Sequence, residues 1–222
     1  MRVRWIGLTL ALVGIGAVAG YGVGVLRHEA PTTFAAAAPV PASSPSIPVL
    51  PLQPYAPDID YPPLAAGLEY APHRLGDPTY QWRYDVPRGW VPEDVSPLFE
   101  VRWRPADEPT TGGYSLRAKL VNEHRTPGEM VSAKLAAVRV LYRDVTVLAR
   151  TDDMLSFRYR EPDRNTLRFN TFTWFAAPGG TTAEFEMSVV GRAVDLPGLD
   201  SLRDHVAASV EKLTRPAAGV AR

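Results

Sequence analysis

Glu184 and Glu186 stand two residues apart in the strand-like segment Thr182–Val190. Alternation puts both on one face, with Phe185 and Met187 on the other. Such a carboxylate pair can serve acid–base work on a glycoside or hold a hard cation. Any solvated sheet face shows the same spacing, and Thr171 and Thr173, or Arg158 and Arg160, would then be the cross-strand partners. The polar-pair reading is preferred, with a carboxylate-dependent hydrolase or carbohydrate-active domain as its alternative.

Other chemistry is sparse. The histidines are His28, His73, His124 and His205, none at i, i+4 from another and none in an H-E-x-x-H run. Their spacing supports no zinc site. His205 follows Asp204 on a helix flank and reads as solvated or half-buried. The chain has no cysteine, which excludes disulfides, thiolate metal sites, a cysteine nucleophile and a lipid-modified N-terminal cysteine. No G-x-S-x-G elbow is present, and Gly112-Gly113 and Gly179-Gly180 read as turn pairs with no helix start behind them to cradle phosphate. No catalytic residue, metal or cofactor follows from these types. The 24 basic and 24 acidic side chains cancel, which argues against a nucleic-acid binder held by bulk charge.

A basic stripe offers a different function. Arg102 and Arg104 on one strand, and Arg117 and Lys119 on the next, alternate outward and can share a face. That face can attract an anionic envelope component or partner loop; the competing reading is an ordinary solvated face balanced by Glu100. Trp90 follows a turn and either joins the core or lines a groove, so it joins these four as a candidate partner-binding residue.

These residues need a scaffold. Period-two alternation marks strands at Thr79–Val86, Leu98–Arg104 and Tyr114–Leu120. Thr126, Pro127 and Glu129 then supply a cap, a first-turn proline and a capping box, ahead of the stripe Val131, Leu135, Val138 and Tyr142. Strands follow at Asp144–Arg150, Met154–Arg160, Leu167–Phe175 and Thr182–Val190, and a last helix runs from Leu199 to Leu213. The order predicts an α+β fold, an αβα sandwich with a largely antiparallel sheet of about six or seven strands and two main helices.

The first third has another character. Trp5–Leu26 is 22 residues without a charge, about 33 Å as a helix, enough for a hydrocarbon core of about 30 Å. Arg2 and Arg4 precede it, and beyond Arg27 no Lys or Arg occurs before Arg74, so the N-terminus stays cytoplasmic and the rest is exported. The alternative is a secreted protein cleaved near Ala38. Ten prolines between Pro31 and Pro63 read as a polyproline-like tether. The predicted organisation is a cytoplasmic tip and anchor over 1–29, a tether over 30–65, an extracytoplasmic domain over 66–215 and a tail over 216–222.

Val86-Pro87-Arg88-Gly89-Trp90, Phe157-Arg158-Tyr159, the hairpin Asn165–Phe175/Thr182–Val190 and the terminal Ala208-Ser209-Val210 together resemble the PsbP-like superfamily over about residues 79–213. That superfamily includes a photosystem II extrinsic subunit and exported actinobacterial lipoproteins. The resemblance implies an αβα sandwich and a mostly non-enzymatic binding or assembly role. It transfers no metal or docking residue, and the lipobox cysteine of the lipoproteins is replaced here by a membrane anchor. The expectation is a membrane-anchored, extracytoplasmic, non-catalytic binding or accessory domain that contacts a protein or envelope component, with no nucleic acid involved.

Overall fold

The computed structural model describes residues 53–96, 98–108 and 112–213. The span at Trp5–Leu26, most of the tether, the cleavage position near Ala38 and the tail lie outside the described residues. No helix among the described residues is long and apolar enough to cross a membrane.

Alternating apolar residues build strands β1 (Tyr70–Asp77), β2 (Tyr80–Pro87), β3 (Trp90–Ser96), β4 (Glu100–Pro105) and β5 (Ser115–Leu120). Helix α1 (Pro127–Leu141) follows, then β6 (Arg143–Arg150), β7 (Met154–Arg160), β8 (Leu167–Ala176) and β9 (Ala183–Gly191). A short 3₁₀ turn leads into α2 (Leu196–Ser209), and β10 (Glu211–Leu213) ends the described chain. Seven strands form one antiparallel sheet in the order β3-β4-β5-β9-β8-β7-β6, and β1-β2-β10 form a second, smaller one. The class is α+β, with two helices and a large antiparallel sheet.

Three strands depart from the sequence expectation. β1 and β3 carry Pro72 and Pro92, and both are edge strands, where a missing backbone donor is tolerated. The last helix ends at Ser209; Val210 is extended, and Glu211, Lys212 and Leu213 pair with Arg83, Trp82 and Gln81 of β2. Val210 and Leu213 continue the helical spacing, but β2 offers 211–213 a ladder instead.

Two cores flank the large sheet. Trp82, Tyr84, Leu202 and Val206 of the small sheet and α2 pack against Leu116, Phe185, Met187 and Val189. Val131, Leu135 and Val138 of α1 pack against Leu155, Phe157, Phe172 and Trp174. In the β8–β9 register Phe172 lies opposite Ser188 and Trp174 opposite Glu186, one residue out of phase with Phe185, Met187 and Val189. The two cores therefore occupy opposite faces, α1 over β7 and β8, the small sheet and α2 over β4, β5 and β9. Burying each large side chain contributes about 1.5–3 kcal/mol.

The thirteen residues 53–65, which their composition assigns to the tether, lie against the domain as a strap. Arg192 is 1% exposed and Asp195 0%. The Arg192 guanidinium donates to Asp195, to the carbonyls of Ile59 (3.1 Å) and Tyr61 (2.8 Å), and to that of Pro62 (3.0 Å). Asp195 also accepts the backbone N–H of Leu64 at 3.0 Å. Further along, Asn165 donates to the Pro54 carbonyl, Arg160 donates to that of Gln53, and the Tyr55 ring lies 3.9 Å from the Arg160 guanidinium carbon. An extended proline-rich segment has no internal hydrogen bonds, so its carbonyls are free to accept. Burial alone would raise the Asp195 carboxyl, but the hydrogen bonds from Arg192 and Leu64 hold it below the ordinary carboxylate range.

Candidate functional site

Because α1 sits over β7 and β8, and the small sheet over the other face, the α1-side face of β4 and β5 carries neither. Cross-strand register puts Glu100 opposite Lys119 and Arg102 opposite Arg117, with Arg104 two residues along. Arg102, Arg104, Arg117 and Lys119 thus share this face, each partly exposed. Carboxylates accompany them. Glu93 lies 3.6 Å from Arg102 and 3.9 Å from Arg104, Arg117 Nε donates to Glu100 at 2.8 Å, and Glu123 lies 3.9 Å from Lys119. Such half-exposed pairs contribute about 0–1 kcal/mol each, so a stronger anionic partner can displace them.

Below the arginines, Glu108 is 5% exposed and its carboxylate is tucked against Gly113. A Cβ at Gly113 would lie 1.8 Å from Glu108 Oε1, so any side chain there would displace the Glu108 carboxylate. Burial pushes the Glu108 carboxyl up, against the opposing pull of Arg102 and Arg104.

Trp90 is placed apart from the cations. It pairs with Pro105, out of phase with Arg104, and packs at the rim of the first core, 5.9 Å from the Tyr114 ring centre. It does not join the other four on one surface.

Glu184 and Glu186 diverge. Phe175 pairs with Phe185 while Ala176 pairs with Ala183, so Glu184 is an extra residue in a β-bulge. Glu186, 3% exposed, accepts from Trp174 Nε1 at 2.8 Å and lies 3.6 Å from Lys134 of α1. Glu184 is held by Lys212 of β10, on the side of the small sheet. The cross-strand partners expected for the pair are engaged elsewhere. Thr171 bonds Ser156, Thr173 faces Met187, Arg158 faces Phe169, and Arg160 pairs with Asp144. Alternation cannot reveal a bulge, which has no fixed residue signature here.

His205 bonds Asp85 at 3.2 Å and stacks on Tyr70 at 3.6 Å, so it ties α2 to the small sheet, whereas Asp204 pairs with Arg203. Among the described residues no three His, Cys, Asp or Glu side chains are grouped to hold a metal. A cavity of about 530 Å³ opens where the β1–β2 turn meets β5 and β9, lined by Tyr80, Phe99, Leu120, Val121, Lys119 and Glu184 among others. Burial and a hydrogen bond to Glu184 push the Tyr80 phenol up to about 12. Sequence reasoning missed this cavity because distant segments assemble it, although exposed Phe99 on the β3–β4 turn is a trace of it.

The fold and this site define an α+β domain with an arginine-bearing sheet face that, among the described residues, neither helix nor the small sheet covers. Compared with protein-family models, curated proteins and solved structures, the chain matches none.

Proposed function

We propose that this chain is a single-pass membrane protein whose extracytoplasmic domain, of the PsbP-like αβα type, binds a protein or anionic envelope component without catalysing a reaction. The uncharged run at Trp5–Leu26 and its flanking arginines support the anchor and its orientation. Helices on opposite faces of an antiparallel sheet support the sandwich reading. The observation that carries the binding role is the β4–β5 face, on which Arg102, Arg104, Arg117 and Lys119 stand uncovered. The structural engagement of Glu184 and Glu186 on separate sides weighs against an acid–base pair.

The test is affinity capture from native membranes with the tagged full-length chain and its Arg117→Gln/Lys119→Gln variant. Loss of the captured partner from the variant, at unchanged melting temperature, is expected. Identical capture by both proteins would refute this face as the binding surface.

A further inference from the structure

Where the strap crosses the end of the large sheet, β4, Gly112-Gly113 and the β7–β8 turn enclose a cleft of about 190 Å³. Arg102, Arg164, Arg168, Glu161 and Tyr159 line it. Arg168 is 4% exposed; its Nη1 donates to the Gly113 carbonyl at 3.3 Å, and its Nε lies 3.5 Å from Glu161. Glu161 is shared, since it also accepts from Thr166 at 2.7 Å.

Gly112 keeps the cleft open. Its φ is +106°, and a Cβ there would lie 3.0 Å from Arg164 Nη1 and 3.3 Å from Arg168 Nη2. Two guanidinium groups therefore approach one bare spot on the backbone. Among the described residues Arg164 has no ion pair or hydrogen bond. Arg102 has Glu93 at 3.6 Å, outside the cleft, and also acts on the buried Glu108 carboxylate behind Gly113. The lining thus holds three guanidinium groups and the Glu161 carboxylate, with the Glu108 carboxylate behind Gly113. Arg168 is buried but paired, whereas the partly exposed Arg164 is left with a free guanidinium facing the cleft, and an anion there would complete it.

We propose that this cleft is an oxyanion site for a phosphate-class dianion. Three guanidinium groups line one space, and a phosphoryl group offers them at least three oxygens where a carboxylate offers two. Guanidinium forks match phosphoryl oxygens in geometry. The volume is below the roughly 300–1,000 Å³ of sites for drug-sized ligands and suits one tetrahedral group. The inference rests on the β4–β5 binding surface only through Arg102, which lines both. The phosphoryl group can belong to a lipid headgroup or to a soluble molecule.

The experiment is calorimetric titration of the full-length chain in neutral detergent at pH 8. Inorganic phosphate is compared with acetate, for wild type and for Arg164→Gln and Arg102→Gln. Phosphate is expected to bind with a Kd of about 1 mM or tighter. Acetate and both variants bind at least about tenfold more weakly. Arg164→Gln keeps the wild-type melting temperature, because no described partner is lost. No phosphate binding, or equal affinities across anions and variants, would overturn the site. In a second arm, vesicles with and without phosphatidic acid are mixed with the chain starting at Gln53, which keeps the strap. Recruitment competed by free phosphate assigns the group to a headgroup, and phosphate binding without recruitment assigns it to a soluble ligand; both uphold the cleft. If phosphate fails while Arg117→Gln/Lys119→Gln still abolishes capture, the cleft is wrong and the face stands.

Discussion

Replacing Arg192 with Met tests whether the strap is part of the folded domain. The substitution keeps an unbranched side chain but removes five side-chain hydrogen bonds, two to Asp195 and three to the carbonyls of Ile59, Tyr61 and Pro62. Asp195 is left buried with no cation and only the backbone N–H groups of Arg192 and Leu64. Removing one partner of a buried ion pair costs about 3–5 kcal/mol. The three carbonyls would add about 1–3 kcal/mol each if they stayed dry, but the strap can part from the domain and hydrate them. The expected loss is therefore about 3–5 kcal/mol, or roughly 6–20 °C in melting temperature for a domain of this size. Because the folded Asp195 carboxyl is held low, the pair's contribution is fully present above about pH 3.9, the unfolded value, and is lost as pH falls through the lower folded value. Thermal and urea unfolding at neutral pH, on chains starting at Gln53 and at Ala66, measure the effect. The shorter chain should be less stable, and Arg192→Met should cost less within it, because the carbonyls are already gone. A loss under about 2 °C in the longer chain would refute the clamp.

Two further outcomes come from the same geometry and a third from the uncharged run at Trp5–Leu26. Glu108→Gln should stabilise the domain at neutral pH, because burial raises this carboxyl; the gain should vanish as pH falls through the raised value to the ordinary range near about 4.3, and urea unfolding across that range checks it. Glu186→Ala leaves the Trp174 indole N–H unpaired and should cost about 1–3 kcal/mol in urea unfolding, whereas an unchanged stability would revive a functional role for this carboxylate. The absence of cysteine makes topology directly measurable. An impermeant maleimide should label Asp163→Cys in intact cells and Val3→Cys only after permeabilisation, and the reverse pattern would place the domain in the cytoplasm.

Much of the scaffold is legible because local rules and tertiary packing agree. The capping box forms between Thr126 and Glu129, and the alternation of Phe185, Met187 and Val189 is the inner face of the first core. The outward alternation of Arg102, Arg104, Arg117 and Lys119 survives because β4 and β5 pair in register. What escaped has a common physical origin in long-range partners. The strap reads as tether because its carbonyls are satisfied by Arg192, more than a hundred residues away. Proline hid β1 and β3, since only topology makes them edges. The bulge that separates Glu184 from Glu186 inserts one residue without a signal of its own. The arginine cleft joins Arg102 to Arg164 and Arg168 across two distant segments, so spacing gives no warning of it.

The most direct test of the account uses a photo-crosslinking amino acid at position 117, on the uncovered β4–β5 face, in the full-length chain in native membranes. A control at position 158, an exposed site on β7, lies out of phase with Phe157 and faces away from α1. The account predicts a discrete crosslinked product from 117, weakened by added salt, and none from 158. No product from 117, or equal products from both positions, would contradict it.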